Sequence, residues 1–193
     1  KAPTRALVDS YLNADGSVPA DKIVYANRDP RLTATVVYNG YVWKDRNDKS
    51  EYVTKGTINV TSGNDKAGTD NGSPTGFYTR KYFDTTHGKN LEMWTNIIMM
   101  RYADVLLMYA EAKAYLNEMD AAVWNETIKP IRQRAGLSGT DFPSSGDYTQ
   151  IVRDERRVEL ALEGLRYFDL IRWITGREFR TVSAVSARNP RAH

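Results

Sequence analysis

No cysteine occurs in the 193 residues. That excludes disulfides, thiolate metal sites and cysteine nucleophiles, while leaving the compartment open. Histidine is nearly as scarce, with only His87 and the last residue, His193. His87 reads as a surface residue in a Gly-containing turn, and one internal histidine builds no metal centre alone. Gly-rich phosphate loops, Ser/His/Asp sets and clustered metal ligands are missing as well, so neither a metal nor a cofactor is expected. No apolar run approaches the ~20 residues of a membrane span, and no signal peptide is visible. Net charge is only +3, and Arg177, Arg180, Arg188 and Arg191 against Glu178 supply all of it from the tail. A neutral body with a basic tail lacks the basic stripe that nucleic-acid binding needs.

What is present is a chain long enough to bury a sizeable core as one domain. It is rich in aromatics, with 12 tyrosines. Asn13–Gly16 is a turn signal. It resembles the start of a calcium loop, but the bidentate glutamate such a loop requires does not follow. Arg28 and Asp29 are expected to pair with each other in a loop. Leu32–Val37 alternates and is β-branched, which predicts a strand. Asn39-Gly40 predicts a two-residue hairpin with a type I′ turn. In that register Tyr38 opposes Tyr41 and Val36 opposes Trp43, all on one face. Such an aromatic face is either core packing or a platform on which sugars stack their C–H faces.

Residues 44–76 are polar and Gly/Asn/Asp/Ser/Thr-rich, with 64–74 an exposed loop. Short strands are expected at 52–54, 58–60 and 77–83. Residues 97–100 read as extended.

The helices come next. In Arg101–Asn117, Ala103, Leu107, Ala110 and Ala114 form one apolar stripe. Tyr102, Val105, Tyr109, Ala112 and Leu116 form a second, and only the row with Asp104 and Glu111 is polar. A helix apolar on most of its circumference is expected to be buried on most of it. A helix over 120–134 follows, with Asp120 as N-cap, Trp124, Ile128 and Ile131 as its apolar face, and a kink at Pro130. A long helix over 148–163 ends at Gly164 as a left-handed cap, and a short helix starts near Leu165.

Charges run through the apolar pattern of Glu155–Trp173. Along the helix Asp154 reaches Arg157, Glu159 reaches Arg156, and Asp169 reaches Arg166 and Arg172. Glu155 has no such partner and needs one from another helix. Arginine neighbours lower a carboxylate pKa, the opposite of what a glycosidase general acid requires. The set Arg101, Asp104, Glu155, Arg156, Glu159, Glu163, Arg166, Asp169 and Arg172 is therefore read as a partly buried ion-pair network that fixes helix register. No catalytic residue is assigned.

Three segments, RYADVLLMYAEA from Arg101, IRQRAGL from Ile131 and ERRVELALEGLRYFDLIRW from Glu155, resemble the C-terminal half of the SusD/RagB family. Upstream, NRDPRLTATVVYNG from Asn27 and TGFYTRKYFD from Thr75 resemble that family in the same order. The resemblance spans Ala6 to Trp173. It implies a mainly α fold with small β-hairpins (α+β) and tetratricopeptide-like helix pairs. The expected parts are a loop-rich region with hairpins over 1–96, a helical core over 97–175 and an irregular basic tail over 176–193. Family members are longer, so the chain is expected to be part of a larger protein whose N-terminal half carries a lipid anchor and further helical repeats. Arg180–His193 departs from the family's closing segment.

By resemblance, the intact protein is a non-catalytic, surface-exposed outer-membrane lipoprotein of Bacteroidetes. It would bind an oligosaccharide or polysaccharide and pass it to a SusC-like TonB-dependent transporter. Binding residues vary within the family. Tyr41 and Trp43, with Tyr38 beside them, are the ligand candidates on side-chain chemistry alone. The alternative is a protein-interaction half with no sugar site of its own. A glycosidase would instead require two unpaired carboxylates facing a cleft.

Overall fold

In a computed structural model, residues 2–46, 52–70, 72–83, 96 and 98–175 of the chain are described. His87, the tail from 176 onward and Ile97 of the expected extended stretch lie outside the described residues.

The chain opens with a single helical turn, α1 (Arg5–Val8), and a loop that returns to α2 (Pro30–Thr35). Expected as a strand, 32–37 is thus mostly helix. Its start explains why. The Asp29 carboxylate accepts the Arg31 amide at 2.9 Å, and Pro30 brings a φ already suited to the first helical position. Only Val36 and Val37 are extended, forming β1 (Val36–Val37).

After β1 the Tyr41 amide reaches the Tyr38 carbonyl at 3.0 Å, closing a turn on Asn39-Gly40. Gly40 has φ of +84°, but Asn39 is not left-handed. A type I′ turn needs both, so this is the geometry of a type II turn. It separates the strands instead of pairing them. β1 pairs antiparallel with β4 (Tyr78–Thr79), placing Val36 opposite Thr79. A second ribbon pairs β2 (Val42–Arg46) with β3 (Tyr52–Thr57), placing Trp43 opposite Gly56. The expected Val36–Trp43 pair is not formed. Residues 58–60 are not strand, and 77–83 keeps only β4.

The helical part is α3 (Tyr102–Tyr115), α4 (Ala121–Glu126), α5 (Ile128–Ala135), α6 (Tyr148–Glu159) and α7 (Arg166–Thr175). Asp120 and Asp147 cap α4 and α6 by accepting the amides of Val123 and Gln150. The single kinked helix expected over 120–134 is two helices, broken at Thr127. Pro130 lies in the first turn of α5, where its missing N–H would have no helical partner anyway. The buried Thr127 hydroxyl donates to the Val123 carbonyl at 2.6 Å, which satisfies it inside the break. Gly136, left-handed at φ +88°, ends α5. Helix α6 stops at Glu159, one turn earlier than expected, with Leu162 and Gly164 both at positive φ in the descent to α7.

Two clusters make the core. Ala103, Leu107, Ala110 and Ala114 of α3 pack with Trp124, Ile128, Ile131 and Val152 of α4, α5 and α6. Val8, Tyr11, Leu32, Val36, Phe77 and Val158 form the second, so α6 contributes to both. The Asn13–Gly16 turn is no free surface loop. Gly139 packs so closely on it that a Cβ there would meet the Asp15 carbonyl at 1.7 Å. Among the described residues no helix is long and apolar enough to cross a membrane.

Helix α3 buries its Ala103–Ala114 stripe as expected but is not buried on most of its circumference. Asp104 and Glu111, the polar row, are buried. Tyr102, Val105, Tyr109 and Leu116, the second apolar stripe, face outward with Tyr102 75% exposed.

Candidate functional site

The charged residues of α6 explain why the polar row of α3 is buried. Glu155, Arg156 and Glu159 are all nearly sealed from water. A buried charge is tolerable only when paired and hydrogen-bonded, and each of these is. Glu155 accepts from Arg31 at 2.6 Å and from Arg132 at 2.8 Å. Its partners thus come from α2 and α5. Glu159 accepts from Arg31 at 3.0 Å, Arg101 at 2.5 Å and Arg134 at 2.6 Å. Arg31 also grips Asp29 at 2.7 Å, so Asp29 pairs with Arg31 and not with Arg28. Arg28 donates instead to backbone carbonyls, including Tyr11 at 2.6 Å, which ties down the loop before α2.

Arg156 points to the other side. It reaches Asp169 at 3.0 Å, Asp104 at 3.1 Å and Glu111 at 3.6 Å, linking α6 to α7 and α3. Arg172 holds Glu111 through two parallel bonds of 2.7 Å and meets Asp169 at 3.2 Å. The Trp173 indole N–H also donates to Glu111. Of the pairs expected along the helix, Asp169–Arg172 forms. Glu159 and Arg156 turn to different partners. Among the described residues Arg166 makes no ion pair, and its guanidinium lies over Trp173.

The C-terminus of α6 is held by two cations. Arg101 binds Glu163 and donates to the Glu159 carbonyl at 2.6 Å. Lys81 binds Glu163 at 2.7 Å and the Ala161 carbonyl at 3.0 Å. Unpaired carbonyls and the negative end of the helix dipole favour both.

These contacts fix the protonation chemistry. Burial pushes Glu159 up, but hydrogen bonds from Arg101 and Arg31 outweigh it and hold its pKa below the ordinary value. Glu163 is held low in the same way by Arg101 and Lys81, and Glu111 by Arg172 and Trp173. Arg31 and Arg101 are desolvated, yet their carboxylate partners raise them above the arginine range. Such carboxylates stay ionised and engaged; none is a proton donor in waiting.

The aromatic candidates lie elsewhere, in a continuous row. Tyr25 stacks on Tyr38 with ring centroids 4.1 Å apart. Tyr38 meets Tyr41 edge-on at 5.5 Å, Tyr41 lies 6.1 Å from Trp43, and Trp43 meets the edge of Phe83 at 5.1 Å. All five rings are half-buried. The inner end is anchored, because Tyr25 and Tyr38 pack on the second core cluster and the Tyr38 hydroxyl meets Thr33 at 3.0 Å. At the outer end the Arg80 guanidinium lies 5.3 Å from the Trp43 ring centroid. Tyr38, Tyr41 and Trp43 are therefore neighbours, joined by the Asn39-Gly40 turn and not by strand pairing. Tyr25, Phe83 and Arg80 were not foreseen. They lie far off in sequence, and no local spacing marks them.

The sequence profile of the SusD family matches residues 2–191. The chain belongs to the SusD family. Two solved SusD-family chains of Bacteroides fragilis share its fold. One, described as a SusD-like carbohydrate binding protein, is 31% identical with a TM-score of 0.69, over 89% of this chain and 35% of its own. The other, a SusD-like protein, is 30% identical with a TM-score of 0.70, over 91% and 36%. SusD-like protein P2 of Formosa agariphila is 37% identical over 108 residues, 51% of this chain and 21% of its own. SusD-like protein P38 of the same organism is 40% identical over 87 residues, 40% of this chain and 17% of its own. The matched region is thus about a third of the solved SusD-family chains and about a fifth of the curated ones.

Proposed function

We propose that this SusD-family chain is part of a non-catalytic glycan-binding protein at the bacterial outer-membrane surface. In this reading the protein passes a captured oligosaccharide to a SusC-like TonB-dependent transporter. The observation that carries it is the half-exposed aromatic row that contains Tyr41 and Trp43. Sugar rings present C–H faces that stack on such side chains, and Arg80 beside Trp43 offers donors to hydroxyls. Its likeness to a carbohydrate-binding relative supports the same reading. Paired, low-pKa carboxylates argue against a glycosidase, which needs one carboxyl kept protonated.

Affinity electrophoresis and calorimetry against a panel of plant and host glycans test this, with Trp43→Ala alongside. Binding by the wild type, weakened at least about tenfold in the variant, is the result expected when a central aromatic contact is truncated. A folded protein that binds no glycan, or a variant that binds as well as wild type, would overturn it.

A second reading has its own observation. Tyr102, Val105, Leu106 and Tyr109 line an open groove of about 410 Å³ with Glu126 and Thr127. A contiguous exposed apolar face of this kind suits a protein contact. In that reading this part of the protein is an interaction scaffold without a sugar site.

A further inference from the structure

One flank of α6 and α7 holds three arginines, Arg153, Arg157 and Arg166. Arg153 and Arg157 lie one turn apart on α6, and Arg166 opens α7. The Arg153 and Arg166 guanidinium carbons lie 4.7 and 4.9 Å from the centroid of the Trp173 ring. Among the described residues none of the three forms an ion pair. The acids nearby are already engaged. Asp169 and Glu111 belong to Arg156 and Arg172, and Asp154 accepts from Gln150 at 3.0 Å.

Two guanidinium nitrogens in this group, Nε of Arg153 and Nη1 of Arg166, are buried with no hydrogen-bond partner. They are the only such side-chain atoms among the described residues. A buried charged donor without a partner is costly, and native structures satisfy such groups with an ion, a water or a ligand. Crowding of like charge adds to the cost. Burial first, and then Arg157, pull Arg166 below the ordinary arginine value.

We propose that Arg153, Arg157 and Arg166, set against Trp173, form a binding site for a compact oxyanion, a carboxylate or a sulfate. The planar guanidinium fork matches either group through paired N–H···O bonds. An anion there would bring acceptors to a group short of them and offset part of the repulsion among three positive charges. The Trp173 ring keeps two of the three oriented before it arrives. The same chemistry is offered by a free inorganic ion and by an acidic sugar residue. This site stands apart from the aromatic row and does not depend on the glycan reading.

Thermal unfolding of the full chain at constant ionic strength tests it, with sodium sulfate or sodium glucuronate replacing sodium chloride and glucose as the neutral control. A saturable rise in Tm is expected, about 3–6 °C at ten times the dissociation constant. It should shrink in Arg157→Gln and in Arg166→Gln taken separately. A rise with sulfate alone identifies a free-ion site, and a rise with glucuronate as well identifies one that accepts an acidic sugar. No rise beyond chloride, or a full rise in both variants, would overturn the proposal.

Discussion

Helix α6 carries two groups of charge a few residues apart, and they are treated in opposite ways. On its inner face Glu155, Arg156 and Glu159 are buried, and each meets two or three opposite charges from α2, α3, α5, α7 or the segment before α3. On its flank Arg153 and Arg157 have none among the described residues. Similar side chains on one helix thus serve different ends. The inner group fastens elements distant in sequence, since Arg31 and Glu155 are 124 residues apart. The flank group is left with donors to spare. Burial alone does not decide the matter; what decides it is whether a partner arrives from another element.

The largest effect expected from this contrast is at the inner face. Arg156→Met should cost about 3–5 kcal/mol in urea unfolding, because Asp104 would stay buried with no cation among the described residues and Asp169 would keep only Arg172. A loss under 1 kcal/mol would place Arg156 with the flank arginines.

Acid should dissolve the same network. Glu159, Glu163 and Glu111 all have folded pKa values below the ordinary 4.5. A depressed carboxylate contributes stability that is complete above its unfolded pKa and lost as pH falls through its folded one. Stability should therefore hold from pH 7 to about 5 and fall steeply below about 4.5. A profile flat down to pH 3 would contradict this assignment of the charges.

The smallest effect belongs to the flank. Arg157→Gln should change stability by no more than about 0.5 kcal/mol, or raise it slightly by relieving repulsion. A large loss would mean that Arg157 has a structural partner after all.

The helices were legible because their signals are local. Asp120 caps α4 where a short polar side chain precedes an apolar period, and Gly136 ends α5 as a left-handed glycine should. The network was half legible. Its members on Glu155–Trp173 were visible as charges among core residues. Their partners Arg31, Arg132 and Arg134 lie inside the segments that resemble the family without any local signal of the pairing, and Glu111 is visible only as a polar position on its helix. Those segments meet in two buried groups of charge on either side of α6. Nothing in local spacing joins Arg31 to Glu155, because the link is tertiary. The same limit explains α2, where a cap and a proline outweighed β-branched alternation, and Asn39-Gly40, where only the glycine turned left-handed. The outward stripe of α3 was misread for a related reason. Its polar row carries Asp104 and Glu111, whose partners Arg156 and Arg172 turn that row inward and leave the second apolar stripe outside.

The central claim is that these charges are structural pins and not catalytic or ligand groups. Glu159 tests it most directly, because three arginines converge on it. Equilibrium urea unfolding of Glu159→Gln at pH 7 should show a loss of about 3 kcal/mol or more, since uncompensated arginines remain behind. A variant as stable as the wild type would contradict the account, and the carboxylate would then have to be kept for something other than holding the fold together.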